Sequence, residues 1–547
     1  MVKLKLKIHN ENITLTGLMG CGKSSIGRHL AYLLKKEFVD TDTLIEERQE
    51  MTINEIFKEH GEKHFRKLEK EIIREVLEME NQVIALGGGA IVDDESRKLI
   101  KKSSRLIALI ADPAELYDRV KRRKNRPLLK GKDQLATLED LWEERKPAYM
   151  DSHLKLDTTD KSVSAIALEI IKSLGLRKPK IHELEINISR ASSNYKVVYK
   201  ILEKLDLSTI KPGSQVLIIT QEPVAKKYLK ILKDHLASES YKVSSMVIDD
   251  GEEAKNFFTY QLIIQKLLAL KFERKDVLLA LGGGVGGDIV GFAASTYYRG
   301  INYVQVPTTL LSMIDSSVGG KTAINVPEGK NLVGTFYQPH LVHIDVDCLK
   351  TLPDREYKCG LGELVKYTLL GIEWDHIIGD SFFEYLLGHV DAINNRDHDV
   401  LTEVIDHCLK IKSGIVAEDE TEKGIRAHLN LGHTFAHAIE ELTEYKVYAH
   451  GEAVAIGIIC ACYLGEELHC FKPKYTEAVI DLMKKLGLTY KVPEDIKSKD
   501  IINSFKYDKK VEDGKARFIV PKASIGRVEI ITNVDLDLVK IAIDRNR

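Results

Sequence analysis

The sequence predicts an α/β protein in three parts. These are a P-loop domain with a parallel sheet flanked by helices, a Rossmann-like α/β domain, and a mainly helical region. Three observations carry this expectation. An apolar strand at 13–16 runs into the glycine loop GLMGCGKSS and then a helical pattern over 25–34. A second apolar strand at 277–281 runs into Gly282, Gly283 and Gly284, again ahead of a helical pattern. From about residue 346 helical patterns dominate, with short strands near 516–521 and 526–531.

A chain of 547 residues can hold two or three domains with large cores. Its 80 Lys and Arg nearly balance 82 Asp and Glu, so no global basic field favours nucleic acid. A 44% hydrophobic share with only 13 prolines fits compact folding. The apolar runs are far too short to span a bilayer, so no membrane partner is expected. Seven cysteines, odd and sparse, argue against a disulfide framework and for the cytoplasm.

The opening stretch MVKLKLKIHNENITLTG alternates Lys with Leu or Ile and reads as a strand, not a signal peptide. The loop after it is G-x-x-x-x-G-K-S, with Gly17, Gly22, Lys23 and Ser24 in place. In such a loop the backbone over Gly20, Cys21, Gly22 and the helix start at Lys23–Ser25 cradles phosphates. Lys23 reaches the β and γ groups, and Ser24 can ligate magnesium. The next strand ends in Asp40 and Asp42, which share one face and suit magnesium and an acceptor hydroxyl, or a helix N-cap. Strand 83–86 then leads to Gly87, Gly88 and Gly89. Arg66 (HFRKLE) precedes that strand, Arg126 (RRKNRPLL) and Arg145 (ERKPAY) follow it, and each alone could be a surface charge.

In order and spacing these motifs resemble shikimate kinase over essentially residues 1–178. The resemblance implies ATP with Mg2+ as cofactor. It implies that Asp42, Arg66, Arg145 and the backbone around Gly88 bind shikimate, with the arginines on its carboxylate. Asp40 would orient the acceptor hydroxyl or a magnesium-bound water, and Arg126, on a lid, would stabilise charge on the transferred phosphoryl.

The charged stretch GLRKPKIH, 175–182, interrupts the helical pattern of 162–174 and is the best domain boundary. A second βα region starts at 183, and the expected divisions are 1–178, 183–345 and 346–547. Its centre holds the glycines after strand 277–281, Asp288 near a helix start, and a strand at 303–306 ending in Pro307, Thr308 and Thr309. Asp315 and Lys321 flank Ser-Ser-Val-Gly-Gly, not far from Arg299. A phosphate cradle, a hydroxyl pair and an acid with two cations suggest a dinucleotide beside a small anionic substrate.

Downstream, Glu363 and Lys366 stand at i and i+3 on a helix, where they could form only an exposed ion pair. His433 and His437 stand one helical turn apart, and His450 opens another helix. From spacing alone His433 and His437 would pair as metal ligands, or be core histidines.

The block LGGGVGGDIVGF…VPTTLLSMIDSSVGGKTAIN, with DGEEAK before it and HLNLGHTFAHAIE and YAHGEAVAIG after it, resembles 3-dehydroquinate synthase over about 195–545. The family closes 3-deoxy-arabino-heptulosonate 7-phosphate to 3-dehydroquinate with loss of phosphate, using NAD+ and Zn2+ or Co2+. The resemblance implies NAD contacts from Glu252, Lys255, Gly283, Gly284, Val285, Asp288, Thr308, Thr309, Lys330 and Thr351. It implies a metal on Glu363, His433 and His450. Substrate or catalytic contacts would come from Arg299, Asp315, Lys321, Asn331, Lys366, Lys412, Arg426, Asn430, His437 and Lys509, with Lys506 or Lys510 as alternatives to the last. Thr220-Gln221-Glu222 departs from the Asp or Asn usual on the adenosine side, leaving Glu222 as a candidate ribose acceptor. A homodimer through this region follows from the resemblance. The rival readings are another sugar-phosphate cyclase or a polyol dehydrogenase.

Overall fold

A computed structural model describes residues 11–547 except 35, 121–133, 160, 162, 177–182, 187–194, 211–212, 372–381, 423 and 506–516. Arg126, Lys506, Lys509 and Lys510, and the first part of the expected N-terminal strand, lie outside the described residues. The chain divides near residue 180 into two compact units.

The first unit is a five-stranded sheet of β1 (Asn12–Thr16), β2 (Glu37–Asp40), β3 (Gln82–Ala85), β4 (Ser104–Ile110) and β5 (Leu154–Asp157), in the order β2-β3-β1-β4-β5. All its pairings are parallel. The central strand NITLT is buried along its whole length, as a strand covered on both faces must be. Helix α1 (Lys23–Leu34) follows the glycine loop, so the loop sits at the carboxyl end of β1. Asp40 ends β2 and caps α2 (Thr41–Gln49), its side chain accepting from the Asp42 N–H. Helix α3 (Ile53–Glu78) opens with a capping box of Thr52 and Glu55. Helix α4 (Gln134–Met150) completes the site side of this unit.

The second unit is built on a seven-stranded sheet. Its strands are β6 (Glu183–Ile186), β7 (Tyr195–Tyr199), β8 (Gln215–Gln221), β9 (Lys242–Ile248), β10 (Val277–Gly282), β11 (Asn302–Pro307) and β14 (Leu341–Ile344). The order is β6-β7-β14-β11-β10-β8-β9, parallel except for β6 against β7. A hairpin of β12 (Lys321–Val326) and β13 (Gly329–Phe336) interrupts the alternation. The period of two in VLLALG assigns the two faces. Val277, Leu279 and Leu281 face the core shared with the C-terminal helices, while Leu278 and Ala280 face a smaller core containing Ile263 and Ile289.

Helix α5 (Gly284–Thr296) springs from the end of β10, where the strand order turns back between β8 and β10. That is the position at which open α/β sheets bind ligands. The C-terminal part is mainly helical. It includes α6 (Asp354–Thr368), α7 (His398–Glu418), α8 (His433–Leu442) and α9 (His450–Glu467), followed by a small hairpin of β15 (Arg517–Pro521) and β16 (Val528–Thr532). Among the described residues no helix is long and apolar enough to cross a membrane.

Candidate functional site

In the first unit the glycine loop, β2 and α3 converge. Lys23 lies back on its own loop, its ammonium donating to the Gly17 and Leu18 carbonyls at 2.9 and 3.1 Å. The Ser24 hydroxyl donates to Asp40 at 2.6 Å, setting two oxygens side by side as a hard cation such as Mg2+ requires. Gly87–Gly89 lie against the acceptor side. A Cβ on Gly87 would stand 2.7 Å from an Asp42 oxygen, and one on Gly89 2.7 Å from the Arg66 guanidinium. Arg145 comes within 3.8 Å of the corresponding point on Gly88 and is itself buried.

Sequence reasoning missed Glu69. It is buried, pairs with Arg66 at 2.7 Å and stands 2.6 Å from the same point on Gly87. Burial pushes its carboxyl above the ordinary range even though Arg66 pulls it down. Its place three residues after Arg66, on one helical face, was the available signal.

In the second unit a cavity of about 1130 Å³ opens at the carboxyl ends of β8 and β10. Glu252, Lys255, Gly283, Gly284, Val285, Asp288, Thr308, Thr309, Lys330, Asn331, Thr351, His437 and His450 all line it. Lys255 ties the wall together, reaching Asp288 and Asn331 at 2.5 Å each. Gln221 also lines the cavity and donates to the Asp249 carbonyl at 3.0 Å, whereas Glu222 turns to Lys226 at 3.1 Å. The departure in the adenosine region therefore puts Gln221, not Glu222, on the wall.

Beside the cavity the charged residues form a buried chain. Glu363 and Lys366 are each 1% exposed and 2.5 Å apart, so they are not a surface pair. Lys366 also reaches Asp315 at 3.3 Å, and Asp315 pairs with Lys412. Burial opposes ionisation of Glu363, but Lys366 and His433 outweigh it and hold the carboxyl well below its usual range. Burial lowers the Lys412 ammonium to about 8, against the pull of Asp315. Arg426, 1% exposed, donates to the Gly319 carbonyl at 2.9 Å on the Ser-Ser-Val-Gly-Gly turn. Lys321 and Asn430 meet through Glu422, a residue that no sequence spacing singled out. Arg299 is not brought in. It lies on an exposed turn after α5 and is not among the residues lining the cavity.

Glu363, His433 and His450 converge, with one donor atom from each lying within 4.8 Å of the others. The Nε2 atoms of His433 and His450 stand 3.4 and 3.3 Å from Glu363 Oε1. His433 Nδ1 faces the Leu431 carbonyl at 3.1 Å. A carbonyl only accepts, so Nδ1 carries the proton and Nε2 presents its lone pair. The His433–His437 pairing read from spacing is not the one the backbone assembles, since His437 turns its ring to the cavity wall.

Two helix crossings create this convergence. Gly362 and Gly451 meet backbone to backbone, so that a Cβ on Gly451 would lie 1.8 Å from the Cys359 carbonyl oxygen. Gly432 and Gly457 meet likewise, a Cβ on Gly457 falling 2.1 Å from the Gly432 oxygen. Each of the three converging side chains follows or precedes one of these glycines in sequence. Two imidazoles and one carboxylate, with Glu363 and His433 buried and His450 half-buried at the cavity, fit a zinc-like divalent cation.

Residues 245–359 match the family 3-dehydroquinate synthase N-terminal, and 360–511 match its C-terminal counterpart. A 3-dehydroquinate synthase of Idiomarina loihiensis is 43% identical over 365 residues, which is 66% of this chain and 98% of that protein. The chain belongs to the 3-dehydroquinate synthase family. Among solved structures, a 2-epi-5-epi-valiolone synthase from Streptomyces hygroscopicus with NAD+ and Zn2+ bound superposes with a TM-score of 0.59 at 26% identity. It covers 66% of this chain and 99% of that one. A 2-deoxy-scyllo-inosose synthase complexed with carbaglucose-6-phosphate, NAD+ and Co2+ superposes with a TM-score of 0.58 at 25% identity, covering 67% and 100%. Residues 19–175 match the family shikimate kinase. The chain thus joins a shikimate kinase to a 3-dehydroquinate synthase, a kinase and a lyase of one pathway.

Proposed function

We propose that the synthase region binds NAD along the cavity below β8 and β10 and a divalent cation, zinc or cobalt, on Glu363, His433 and His450. The observation that carries this is the convergence of buried Glu363 and His433 with half-buried His450 at the wall of a dinucleotide-sized cavity. When bound, NAD supplies a transient oxidation of a substrate carbinol and the cation acidifies its hydroxyl, so the dinucleotide ends as it began.

The protein's own groups do the rest. Lys412 and Arg426 bind the substrate carboxylate, while Asn331, with Lys509, binds its phosphate. Lys321, Asn430 and Asp315 orient the substrate hydroxyls. Lys366 keeps Glu363 ionised, and His437 relays a proton through its ring nitrogens at the cavity wall. Glu252, Lys255, Asp288 and Thr351 fix the dinucleotide, Thr308 and Thr309 lying towards its nicotinamide half and Lys330 towards the reacting end.

In the kinase region Lys23 and the loop from Gly20 to Ser25 bind ATP, with Ser24 on Mg2+. Asp40 orients the acceptor hydroxyl, and Asp42, Arg66, Gly88 and Arg145 hold shikimate. Arg126 stabilises charge on the transferred phosphoryl. The working organisation is residues 1–178, 183–345 and 346–547. A homodimer through the synthase region is supported by the exposed Phe257, Phe258, Leu262 and Leu268 of one helix.

Release of phosphate and formation of 3-dehydroquinate from the heptulosonate phosphate, with NAD and zinc, tests this reading. His450→Ala should abolish both. Accumulation of NADH without phosphate release would instead mark a dehydrogenase.

A further inference from the structure

His433 and His450 face the cation site through the same nitrogen, Nε2, but the partners that turn them differ. For His433 the partner is a main-chain carbonyl, fixed by the turn ahead of α8. For His450 it is a side chain. Both carboxylate oxygens of Glu440 stand 3.3–3.4 Å from His450 Nδ1, and His450 Nε2 stands 3.3 Å from Glu363. Glu440 is 5% exposed and lies on α8, seven residues after His433 and therefore on the same helical face. A buried carboxylate set against the imidazole of a candidate ligand is expensive to keep unless that contact is used.

We propose that Glu440 is a positioning residue for the cation site. It accepts the Nδ1 proton of His450, fixing the tautomer and ring plane that leave the Nε2 lone pair for the cation. The pair also sets the charge of the site. Lys366 offsets Glu363, so Glu440 supplies the second negative charge close to a divalent ion. The dependence is asymmetric. His433 Nδ1 is turned by a backbone partner that no side-chain substitution removes, whereas His450 Nδ1 is turned by the Glu440 side chain. The inference rests on the cation reading given above.

The test measures cation affinity of the full-length protein by competition with a chromogenic chelator, using Zn2+, and the visible d–d spectrum with Co2+. Wild type, Glu440→Gln and Glu440→Ala are compared, and urea unfolding of the metal-free forms controls for folding. Glu440→Ala should bind Zn2+ about 10–100-fold more weakly and show an altered Co2+ spectrum. Glu440→Gln, whose amide oxygen can still accept from Nδ1, should recover part of the affinity. Wild-type affinity and an unchanged Co2+ spectrum in Glu440→Ala would overturn the role of Glu440 while leaving the cation site standing. Failure of the wild type to bind either ion would overturn both. A fall in affinity matched in size by loss of metal-free stability, and not recovered by Glu440→Gln, would assign Glu440 to packing alone and also overturn the proposal.

Discussion

Lys412 shows how burial sets the behaviour of a single group. Its ammonium lies inside the protein against Asp315, and desolvation brings its titration down to about 8. Below that pH it is a cation, as the proposed carboxylate contact requires, and above it the cation is lost. The KM for the heptulosonate phosphate should therefore rise as pH increases through about 8, with kcat less affected. Lys412→Arg should flatten the rise, because a guanidinium stays protonated. Steady-state rates from pH 6.5 to 9.5 decide it, and an unchanged profile in Lys412→Arg would remove the assignment. The stability sign is the reverse of a raised lysine. Between about 8 and 10.5 the unfolded chain keeps a proton that native Lys412 has given up, so this group makes folding more favourable as pH rises through that window. Lys366 is a different case, because it neutralises a fully buried Glu363. Lys366→Met should lower the urea stability of the metal-free second unit by about 3–5 kcal/mol. Saturating Zn2+, which supplies positive charge at the same carboxylate, should recover part of that. Sequence spacing left Glu363–Lys366 open between a solvated pair and a working one. Only burial, a tertiary property, distinguishes them.

At the scale of elements, the Glu363–His433–His450 convergence is a product of helix crossings rather than of any one helix. Gly362 on α6 and Gly451 on α9 approach so closely that a methyl group on either would overlap backbone atoms of the other helix, which cannot move aside as a side-chain tip can. Gly451→Ala should thus separate α6 from α9, destabilise the second unit by about 3 kcal/mol and carry His450 away from Glu363. Denaturant unfolding with Zn2+ titration would check both effects. Full stability and affinity in the variant would mean that the crossing does not set the site. The elements themselves were legible: the strands into glycine loops, the helix starts and the late strands fall within two residues of their expected bounds. Residues carried by a motif were also legible, among them Lys255, Asp288, Thr308, Thr309 and His437 on the cavity wall, whereas wall residues outside the motifs, such as Tyr228 and Arg355, were not. Glu69, Glu422 and Glu440 were not, for a common reason. Each is an acid whose role is to hold another site residue, and a carboxylate on a helix or turn reads as surface until the packing buries it. Two of them had a helical-spacing signal, whereas Glu422, in a turn eight residues before Asn430, had none.

At the scale of the whole chain, the order of the two catalytic regions was readable because each carries its own strand–loop–helix signature and its own apolar periodicity. The cores bear this out. One cluster runs from Ile13 to Ile171 within the first unit, while the two clusters of the second unit take in Ile186 to Ile543 on the two faces of its sheet. Because each set of apolar residues is buried within its own unit, each should melt on its own account, and a ligand should protect only the unit that binds it. Calorimetry of the intact protein should resolve two transitions. ADP with Mg2+ and shikimate should raise the kinase transition only, and NAD with Zn2+ the synthase transition only. Each saturating ligand at a hundred times its Kd adds about 2.7 kcal/mol to the unit it occupies. Lys23→Met should remove the response to nucleotide and abolish shikimate phosphorylation while leaving phosphate release from the heptulosonate phosphate at its wild-type rate. A single transition moved by either ligand set, or loss of cyclisation in Lys23→Met, would mean that the two reactions share one cooperative structure despite their separate cores.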